Sequence, residues 1–362
     1  MSIGEPQHPA PPMVAEVLAR EATGWGRYPP MAGTPAFRAA AAGWLTRRYG
    51  LPEGYVDPAT MLLPLAGTRE GLFLIVMVTC GERADGRPPA ILLPNPFYQV
   101  YAGAAVLAGA EPIFVPGTAE GGFLPDFARV PQDVLERTAL AFLCTPANPQ
   151  GAVSTLDQLK EALTIARRHG FTLAVDECYS EIYLDAPPPG GLQAAQALGG
   201  GLDNLVVFHS LSKRSSVPGL RVGFVAGDPR VMAAFSRLRS YGGASVPFPM
   251  MAVGAALWQD ETHVEANRAL YRQKFDIAES LFKGRLGFYR PAGGFYLWLN
   301  VGNGEAAAAK LWREAGIRTL PGAYLARTEA DGTNPGTPYV RVALVQDVET
   351  TRHALTRMAQ IL

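Results

Sequence analysis

The feature of this sequence that most limits its fold is a regular alternation of short apolar runs with helical segments across residues 61–225. Each run is four or five residues long and is rich in residues that favour β-strands. Short buried strands that alternate with helices are typical of a mostly parallel sheet covered by helices on both faces. We predict strands at residues 61–65, 90–93, 112–115, 140–144, 171–175, 205–208 and 221–225.

Proline and glycine mark the ends of several predicted helices. Pro35 suits the first turn of a helix at 35–49, which Gly50 ends. An amphipathic segment at 156–169 is closed by Gly170, and an apolar helix at 69–80 follows the segment that begins at Gly67. Parallel sheets bind ligands at the carboxyl ends of their strands, which is where the polar motifs of this chain fall.

Beyond about residue 255 the alternation ends. A long helical segment is followed by short apolar strands, a helix at 304–315 and a closing helix. The first twelve residues hold four prolines, which keep the chain extended, and we expect this segment to pack on the later part. We therefore predict a large domain over residues 20–268 and a smaller α+β domain over residues 1–19 and 269–362.

The composition excludes several classes of function. The 32 basic residues balance 32 acidic ones, so no basic field attracts nucleic acid or an anionic membrane. The three cysteines form an odd set in apolar surroundings, so we expect no disulfide and a cytoplasmic location. No apolar run approaches the ~20 residues of a membrane span, and no signal peptide is visible. The five histidines lack metal-ligand spacing, so we expect no metal.

The polar segment Ser210-Leu-Ser-Lys213 follows the apolar run at 205–208, and Arg221 comes eight positions after Lys213. A buried lysine loses its proton easily, because a low dielectric disfavours the ammonium ion. The neutral amine can then attack an aldehyde and hold it as a Schiff base. Hydroxyl groups and an arginine suit a phosphate monoester. Pyridoxal 5′-phosphate joins an aldehyde to a phosphate, so this segment predicts a site for that cofactor.

Two other interpretations of this segment are open. A lone lysine at the end of a strand is by default an ordinary surface residue. Ser-x-x-Lys is also the nucleophile motif of penicillin-binding proteins and β-lactamases, but the Ser-Asp-Asn and Lys-Thr-Gly tripeptides that accompany it are absent. That motif also requires its serine to open a helix, whereas Pro218-Gly219 indicates a loop.

A series of motifs in a fixed order carries a resemblance over nearly the whole chain. The motifs are Gly4-Glu-Pro, Ala66-Gly-Thr-Arg-Glu, Pro94-Asn-Pro-Phe-Tyr, Asn148-Pro-Gln-Gly, Asp176-Glu-Cys-Tyr, Ser210-Leu-Ser-Lys, Pro218-Gly-Leu-Arg-Val-Gly and Tyr339-Val-Arg-Val. Together they resemble the fold-type I, pyridoxal-phosphate-dependent aminotransferases of class I/II. The resemblance implies an α/β fold in which a large domain has a mostly parallel seven-stranded sheet in an α/β/α sandwich. It also implies a smaller α+β domain and a homodimer with active sites at the interface.

The resemblance implies a role for each motif residue that faces the cofactor ring. Lys213 is expected to hold the cofactor as a Schiff base and then to shuttle the α-proton of the substrate. Asp176 is expected to face the pyridine nitrogen and keep it protonated. Asn148 and Tyr179 are expected to hydrogen-bond the 3-oxygen, and Tyr98 to stack on the ring. The simpler alternatives are a turn for the aspartate and a core position for Tyr98.

The same resemblance implies a phosphate site made of Gly67, Thr68, Ser210 and Arg221. The segment at Gly67 opens a helix, where free N–H groups and the helix dipole favour an anion. Tyr28 stands where the family places a phosphate contact that crosses the dimer interface. An exposed loop tyrosine is the alternative for that position.

The substrate is expected to bind through its α-carboxylate. Arg341 lies between two valines in an apolar strand, so it must either reach solvent or meet an anion. The resemblance implies that it binds the carboxylate in a two-pronged salt bridge. Gly4 is expected to let the backbone approach the same carboxylate, and Asn148 to contribute to the substrate site.

Within the family, three segments beginning at Ser2, Cys178 and Ser210 are most similar to bacterial N-succinyl-L,L-diaminopimelate aminotransferases of lysine biosynthesis. The implied reaction exchanges the free amino group of that substrate with the keto group of 2-oxoglutarate. Dicarboxylate-specific members use an arginine from the neighbouring subunit, and Tyr241 stands at the matching position here. The residues that bind a distal carboxylate are therefore left open.

Three alternatives to this reaction are open. A transaminase for another amino acid and a carbon–sulfur β-lyase would use the same cofactor residues, so only turnover separates them. A transcription regulator with an aminotransferase-like effector domain would need a DNA-binding domain ahead of the fold, and residues 1–30 are too short to form one.

Overall fold

The computed structural model describes all residues, Met1 to Leu362. Its strands, β1 to β10, are Leu62–Leu65, Ala90–Asn95, Glu111–Pro116, Thr138–Cys144, Thr172–Asp176, Leu205–Ser210, Gly223–Gly227, Tyr296–Asn300, Leu320–Pro321 and Tyr339–Ala343. Its helices, α1 to α13, are Met13–Arg20, Pro35–Tyr49, Thr68–Thr79, Gln99–Leu107, Gln132–Leu135, Leu156–His169, Gly191–Leu198, Leu211–Arg214, Pro229–Gly242, Phe248–Gln259, Thr262–Phe282, Gly304–Ala315 and Val348–Ile361. None of these helices combines the length and apolar character needed to cross a membrane.

The large sheet has seven strands in the order β1-β7-β6-β5-β4-β2-β3. Strands β2 to β6 are parallel to one another, whereas β7 is antiparallel to both of its neighbours. Strands β5 and β6 are buried along their whole length, which explains why they appear as continuous apolar runs in the sequence. The prediction of a mostly parallel seven-stranded sheet is confirmed.

Helices cover both faces of this sheet, and the alternation of side chains along a strand divides the core in two. In β6, Leu205 and Val207 belong to a cluster of 43 buried residues, whereas Val206 and Phe208 belong to a cluster of 21. The first cluster includes residues of α2, α6, α7 and α10, and the second includes residues of α3, α4 and α9. This is the three-layer sandwich expected from the sequence.

A second, antiparallel sheet has the strand order β8-β10-β9 and packs with α11, α12 and α13 around a cluster of 14 buried residues. The N-terminal segment joins this part of the molecule: the Ala343 N–H donates to the carbonyl of Met1 at 2.7 Å. The Gln7 N–H likewise donates to the carbonyl of Val345 at 3.2 Å. The domain boundary at residue 268, which falls inside α11, stays a prediction.

The helices predicted from glycine and proline signals lie where the sequence places them. The helix α2 runs from Pro35 to Tyr49, and Gly50 ends it in a left-handed conformation with φ of 61°. Helix α6 begins after Thr155, whose side chain and that of Gln158 form a capping box. These ends are predictable because they depend on local chemistry alone.

Two local predictions around the lysine motif are wrong. Ser210 opens a short helix, α8, and its hydroxyl accepts from the Ser212 N–H at 3.1 Å, where the sequence predicts a loop. The predicted loop therefore does not argue against the nucleophile motif of penicillin-binding proteins. The absence of the Ser-Asp-Asn and Lys-Thr-Gly tripeptides still does. Arg221 is not in a strand: its φ of 55° is left-handed, and β7 begins at Gly223.

Candidate active site

A cavity of about 650 Å³ lies at the carboxyl ends of the central parallel strands. Cys144, Asp176 and Ser210 line it, and they are the last residues of β4, β5 and β6. The sequence-predicted residues that line the cavity are Gly4, Thr68, Tyr98, Asn148, Asp176, Tyr179, Ser210, Lys213, Arg221 and Arg341. The structure thus brings together residues that are up to 337 positions apart in the chain.

Lys213 reaches this cavity from helix α8, directly after β6. Its Nζ donates to the carbonyl oxygen of Gly4 at 2.5 Å and lies 5.3 Å from the ring centroid of Phe295. Burial lowers the pKa of Lys213 from 10.5 to about 8, because the ammonium ion loses solvation. A substantial fraction of this amine is therefore neutral near pH 8, which is the form that attacks carbonyl carbon.

Asp176 lies at the end of β5, the strand that pairs directly with β6. Its Oδ2 accepts a hydrogen bond from the hydroxyl of Tyr101 at 2.7 Å, and its Oδ1 accepts from the Cys178 N–H at 3.2 Å. The Tyr101 ring is stacked on Phe142 with centroids 4.3 Å apart. The carboxylate is therefore fixed in orientation, and Tyr101 is a contributor that the sequence analysis missed.

One end of the cavity combines a helix N-terminus with hydroxyl and guanidinium groups. Gly67 precedes α3 with a φ of 85°, and a Cβ at this position would lie 1.9 Å from Nη2 of Arg221. Thr68 is the first residue of α3, and its hydroxyl accepts from the thiol of Cys178 at 3.1 Å. Glycine is thus required where the backbone and Arg221 approach one another, as a phosphate cradle requires.

The opposite side of the cavity holds Arg341, in the middle of β10. Only 6% of this residue is exposed. Its Nη1 donates to Oδ1 of Asn148 at 2.8 Å, and its Nη2 donates to the carbonyl oxygen of Ser2 at 2.7 Å. Its Nε is buried without a partner. A buried guanidinium with only neutral acceptors is a ready site for a carboxylate.

Tyr296 joins this group, although the sequence analysis did not select it. The guanidinium carbon of Arg341 lies 4.4 Å from the centroid of the Tyr296 ring, and the Tyr296 and Tyr179 hydroxyls are 3.0 Å apart. A Cβ on Gly4 would lie 1.9 Å from the Tyr296 hydroxyl oxygen, so Gly4 admits that hydroxyl. Burial raises the pKa of both tyrosines, which keeps the hydroxyls protonated.

The predicted site residues Tyr98 and Tyr28, and Tyr241 at the position of the family's distal arginine, have different surroundings. Tyr98 lines the cavity, and its hydroxyl accepts from Nε of Arg69 at 2.8 Å. Tyr28 lies outside the cavity and is 99% exposed, and Tyr241 is 80% exposed. Neither of the two exposed tyrosines is brought to the cavity by the fold of one chain.

Comparison with known proteins gives the family. The sequence model described as "Aminotransferase class I and II" matches residues 1–358. This chain belongs to the class I and II aminotransferases. The family depends on pyridoxal 5′-phosphate, so the resemblance and the cofactor predicted from the motifs are both confirmed.

Two known relatives resemble this aminotransferase over nearly its whole length. The LL-diaminopimelate aminotransferase of Dehalococcoides mccartyi is 32% identical over 368 residues, which cover 99% of this chain and 89% of that protein. The 4-dedimethylamino-4-oxo-anhydrotetracycline transaminase OxyQ of Streptomyces rimosus is 32% identical over 360 residues, which cover 99% of this chain and 92% of that protein. Equal identity to proteins with different substrates leaves the amino donor to be argued separately.

Solved structures agree with the fold. An aminotransferase from Neisseria meningitidis superposes with a TM-score of 0.94 at 43% identity, covering 99% of this chain and 90% of that one. A probable N-succinyldiaminopimelate aminotransferase from Thermus thermophilus superposes with a TM-score of 0.86 at 28% identity, covering 100% of this chain and 94% of that one. The predicted fold type I architecture is confirmed.

The residues of the cavity fit pyridoxal 5′-phosphate. The approach of Arg221 to Gly67, together with Thr68 and Ser210, provides donors for a phosphate at one end. Asp176, oriented by Tyr101, is the anion that a protonated pyridine nitrogen requires. Lys213 supplies an amine of lowered pKa in the same cavity.

Proposed function

We propose that this aminotransferase moves the amino group of a diaminopimelate-type donor to 2-oxoglutarate, with N-succinyl-L,L-diaminopimelate as the first candidate donor. The convergence of Lys213, Asp176 and Arg341 on one cavity supports amino transfer, and the names of the Dehalococcoides mccartyi and Thermus thermophilus proteins support this class of donor. A reactive amine, an anion and a carboxylate-binding cation are the groups that amino transfer from an α-amino acid needs.

In this proposal Lys213 acts at the α-carbon of the substrate, and Asp176 acts at the ring nitrogen of the cofactor. When bound, pyridoxal 5′-phosphate supplies an aldehyde that joins amines and a ring that withdraws electrons from the α-carbon of the substrate. Neutral Nζ of Lys213 takes the proton from that α-carbon. Asp176 balances the positive charge of the ring nitrogen, and Tyr101 holds the carboxylate in place.

We assign cofactor binding to the residues around these two. Thr68, Ser210, Arg221 and the backbone at Gly67 bind the phosphate, because they combine a helix N-terminus with hydroxyl and guanidinium donors. Asn148, Tyr179 and Tyr98 bind the ring from its remaining sides. These roles rest on the family resemblance, on the position of the side chains in the cavity and, for Gly67, on its approach to Arg221.

Arg341 is proposed to bind the α-carboxylate of each substrate. The acceptors of its Nη atoms are neutral and its Nε has no partner, so an incoming carboxylate gives this guanidinium its first anionic partner. Asn148 and Gly4 border the same position, and the Tyr296 ring excludes water from one side of the guanidinium. The two substrates, which bind in turn, share this contact.

The second candidate donor is free L,L-diaminopimelate, which the name of the Dehalococcoides mccartyi relative favours. The exposed rim of the cavity carries both an anion, Glu5, and a cation, Arg69. The distal end of the free donor has an ammonium and a carboxylate, which match both charges. The distal end of the succinylated donor has two carboxylates, and Arg69 can pair with only one of them.

A half-reaction screen tests the proposal. Holoenzyme is mixed with one amino donor at a time, and the loss of the visible absorbance of the bound cofactor is followed. We expect one of the two diaminopimelate donors to react faster than alanine, aspartate or aromatic amino acids, and the Lys213→Ala variant to react with none. Faster reaction with another amino acid contradicts the donor assignment, and release of pyruvate from cystathionine identifies a β-lyase instead.

A further inference from the structure

Three buried polar side chains lie outside the cavity, and one of them, Asn267, contacts the backbone of the turn that carries Lys213. Lys274 and Asn267 are seven residues apart on α11 and therefore share one face of that helix, and His8 belongs to the N-terminal segment. Lys274 is 0% exposed, Asn267 8% and His8 9%. Polar groups buried to this degree require hydrogen-bond partners, and these three bond one another.

The hydrogen bonds run in one consistent direction. Nδ2 of Asn267 donates to the carbonyl oxygens of Lys213 at 3.2 Å and Arg214 at 3.3 Å, which fixes its amide so that Oδ1 faces His8. Nδ1 of His8 therefore donates to that Oδ1, at 2.6 Å. Nε2 of the neutral ring then accepts from Nζ of Lys274, at 2.5 Å. Burial lowers the pKa of His8, which favours this neutral ring.

One end of this chain holds the turn that carries Lys213, and the other end holds the N-terminal segment. The carbonyl of His8 accepts from the Ser216 hydroxyl at 2.9 Å, which ties the segment to the same turn. Four residues earlier, the carbonyl of Gly4 meets Nζ of Lys213. Two residues before that, the carbonyl of Ser2 meets Arg341. The position of His8 is thus linked to two basic side chains of the cavity, Lys213 and Arg341.

We propose that Lys274, His8 and Asn267 form a positioning relay that sets the separation between the Lys213 turn and the N-terminal segment. The relay thereby keeps the amine of Lys213 and the guanidinium of Arg341 at the distance at which both can contact one substrate molecule. None of the three residues lines the cavity, so they are positioning residues and not catalytic ones. The proposal rests on the proposed roles of Lys213 and Arg341 and adds the side chains that align them.

The surroundings of Lys274 separate this proposal from a purely structural role. Its Nζ also donates to the carbonyl of Leu344 at 3.0 Å, and no carboxylate lies within salt-bridge distance. A buried lysine without an anion is costly, and the hydrogen bonds to His8 and to Leu344 offset part of that cost. Loss of these bonds in a variant would leave the His8 ring nitrogen and the Leu344 carbonyl without their donor, so the effect should reach the N-terminal segment.

The test uses Lys274→Met and Asn267→Ala, with Ile277→Val on the same helix as the matched control. Hydrogen–deuterium exchange is measured in the protein without cofactor, over peptides covering residues 2–8 and 211–216. We expect both relay variants to exchange about 10-fold faster in both peptides, because each loses a buried hydrogen bond. We also expect kcat/KM to fall about 10-fold to 100-fold, as small displacements of reacting groups do. Ile277→Val should change neither quantity.

Two further variants distinguish the relay from general packing. His8→Gln retains one donor and one acceptor and should exchange more slowly in both peptides than His8→Phe, which has neither. In the double variant Lys274→Met/Asn267→Ala, kcat/KM should be no more than about twofold below that of the less active single variant. The two losses should not multiply, because both changes break one chain of hydrogen bonds.

The relay is overturned if Lys274→Met keeps kcat/KM within twofold of the original protein, or if exchange in residues 2–8 is unchanged. Multiplicative losses in the double variant also overturn it. Failure of the proposed function is a separate outcome, since it appears as the absence of amino transfer in the unmodified enzyme. The hydrogen–deuterium exchange experiment needs no cofactor, so it tests the relay whether or not the unmodified enzyme transfers amino groups.

Discussion

At the residue scale, the pKa of Lys213 determines when its amine can react. Burial lowers that pKa from 10.5 to about 8, so the neutral fraction rises as the pH passes through 8. We expect the rate at which the cofactor-free enzyme captures pyridoxal phosphate to be half-maximal near pH 8 and to level off above that pH. Capture by Nα-acetyl-lysine, measured in parallel, should keep rising toward pH 10.5. Parallel pH profiles for the two amines would contradict the lowered pKa.

The same shift has a consequence for stability, with a definite sign. The unfolded chain, with a lysine pKa near 10.5, binds more protons between pH 8 and 10.5 than the folded chain does at Lys213. The contribution of Lys213 to the free energy of unfolding therefore rises across that window. Below pH 8 both states are protonated, and the cost of burying the ammonium ion is fully present.

Tyr296 offers a second prediction at the residue scale. Tyr296→Phe removes the hydroxyl that pairs with Tyr179 but keeps the ring beside Arg341, so we expect kcat/KM to fall about 2-fold to 10-fold. Tyr296→Leu also removes the ring and should raise the KM for every amino acid tested. Tyr271→Phe is the matched control, because the buried Tyr271 hydroxyl has no partner. Equal effects of Tyr296→Phe and Tyr271→Phe would exclude a role for the Tyr296 hydroxyl.

Three charged residues that line the cavity were predicted from the sequence, whereas two tyrosines that line it were missed. Lys213, Asp176 and Arg341 are conspicuous because charged groups within or beside apolar strands require an explanation. Tyr101 and Tyr296 lie in apolar segments, where an aromatic residue is indistinguishable from a core residue. Their hydroxyl partners are 75 and 117 positions away, so only the folded chain shows the contacts.

At the scale of elements, the junction before α3 is the most sensitive position for cofactor binding. Gly67→Ala puts a Cβ against the guanidinium of Arg221 and strains a residue with a φ of 85°. We expect the variant to fold and to bind pyridoxal phosphate at least about 10-fold more weakly, since a strain of 1–3 kcal/mol is typical of such a residue.

The control for this change is Gly103→Ala, in the middle of α4. A Cβ there meets no atom within 4 Å, and alanine favours the helix. Cofactor affinity is measured for both variants by titration of the apoenzyme and readout of its fluorescence. Equal affinity in Gly67→Ala and Gly103→Ala would show that the phosphate binds elsewhere.

Elements were predictable where local chemistry sets them. Both ends of α2 and the C-terminal end of α6 follow from Pro35, Gly50 and Gly170, and the structure places them there. Helix α8 was missed because its four residues are too few for a periodic pattern, and Ser210 opens it only after the strand is in place. The left-handed Arg221 was missed because nothing in its own chemistry demands that conformation.

At the scale of the whole molecule, Tyr28 remains without a contact in the single chain, since it is 99% exposed. The family resemblance places this tyrosine at the active site of a partner chain, so we expect a particle with the mass of two 38.7 kDa chains. Light scattering coupled to size exclusion measures that mass. A monomer at active concentrations would contradict the shared site.

Hybrid dimers test whether Tyr28 acts across the interface. In a hybrid of Lys213→Ala and Tyr28→Phe chains, one site combines Lys213 of one chain with Tyr28 of the other and is complete. We expect half of the original sites to show unaltered cofactor affinity in that hybrid. If Tyr28 acts within its own chain, no complete site forms and no such affinity is recovered.

Every role proposed for the cavity depends on Lys213 as the residue that holds pyridoxal phosphate. The most direct measurement is reduction of the holoenzyme with borohydride, followed by digestion and mass analysis of the modified peptide. We expect one modified lysine, Lys213, and no adduct in the Lys213→Ala variant. A stable adduct on another lysine, or an unchanged adduct in that variant, would contradict it.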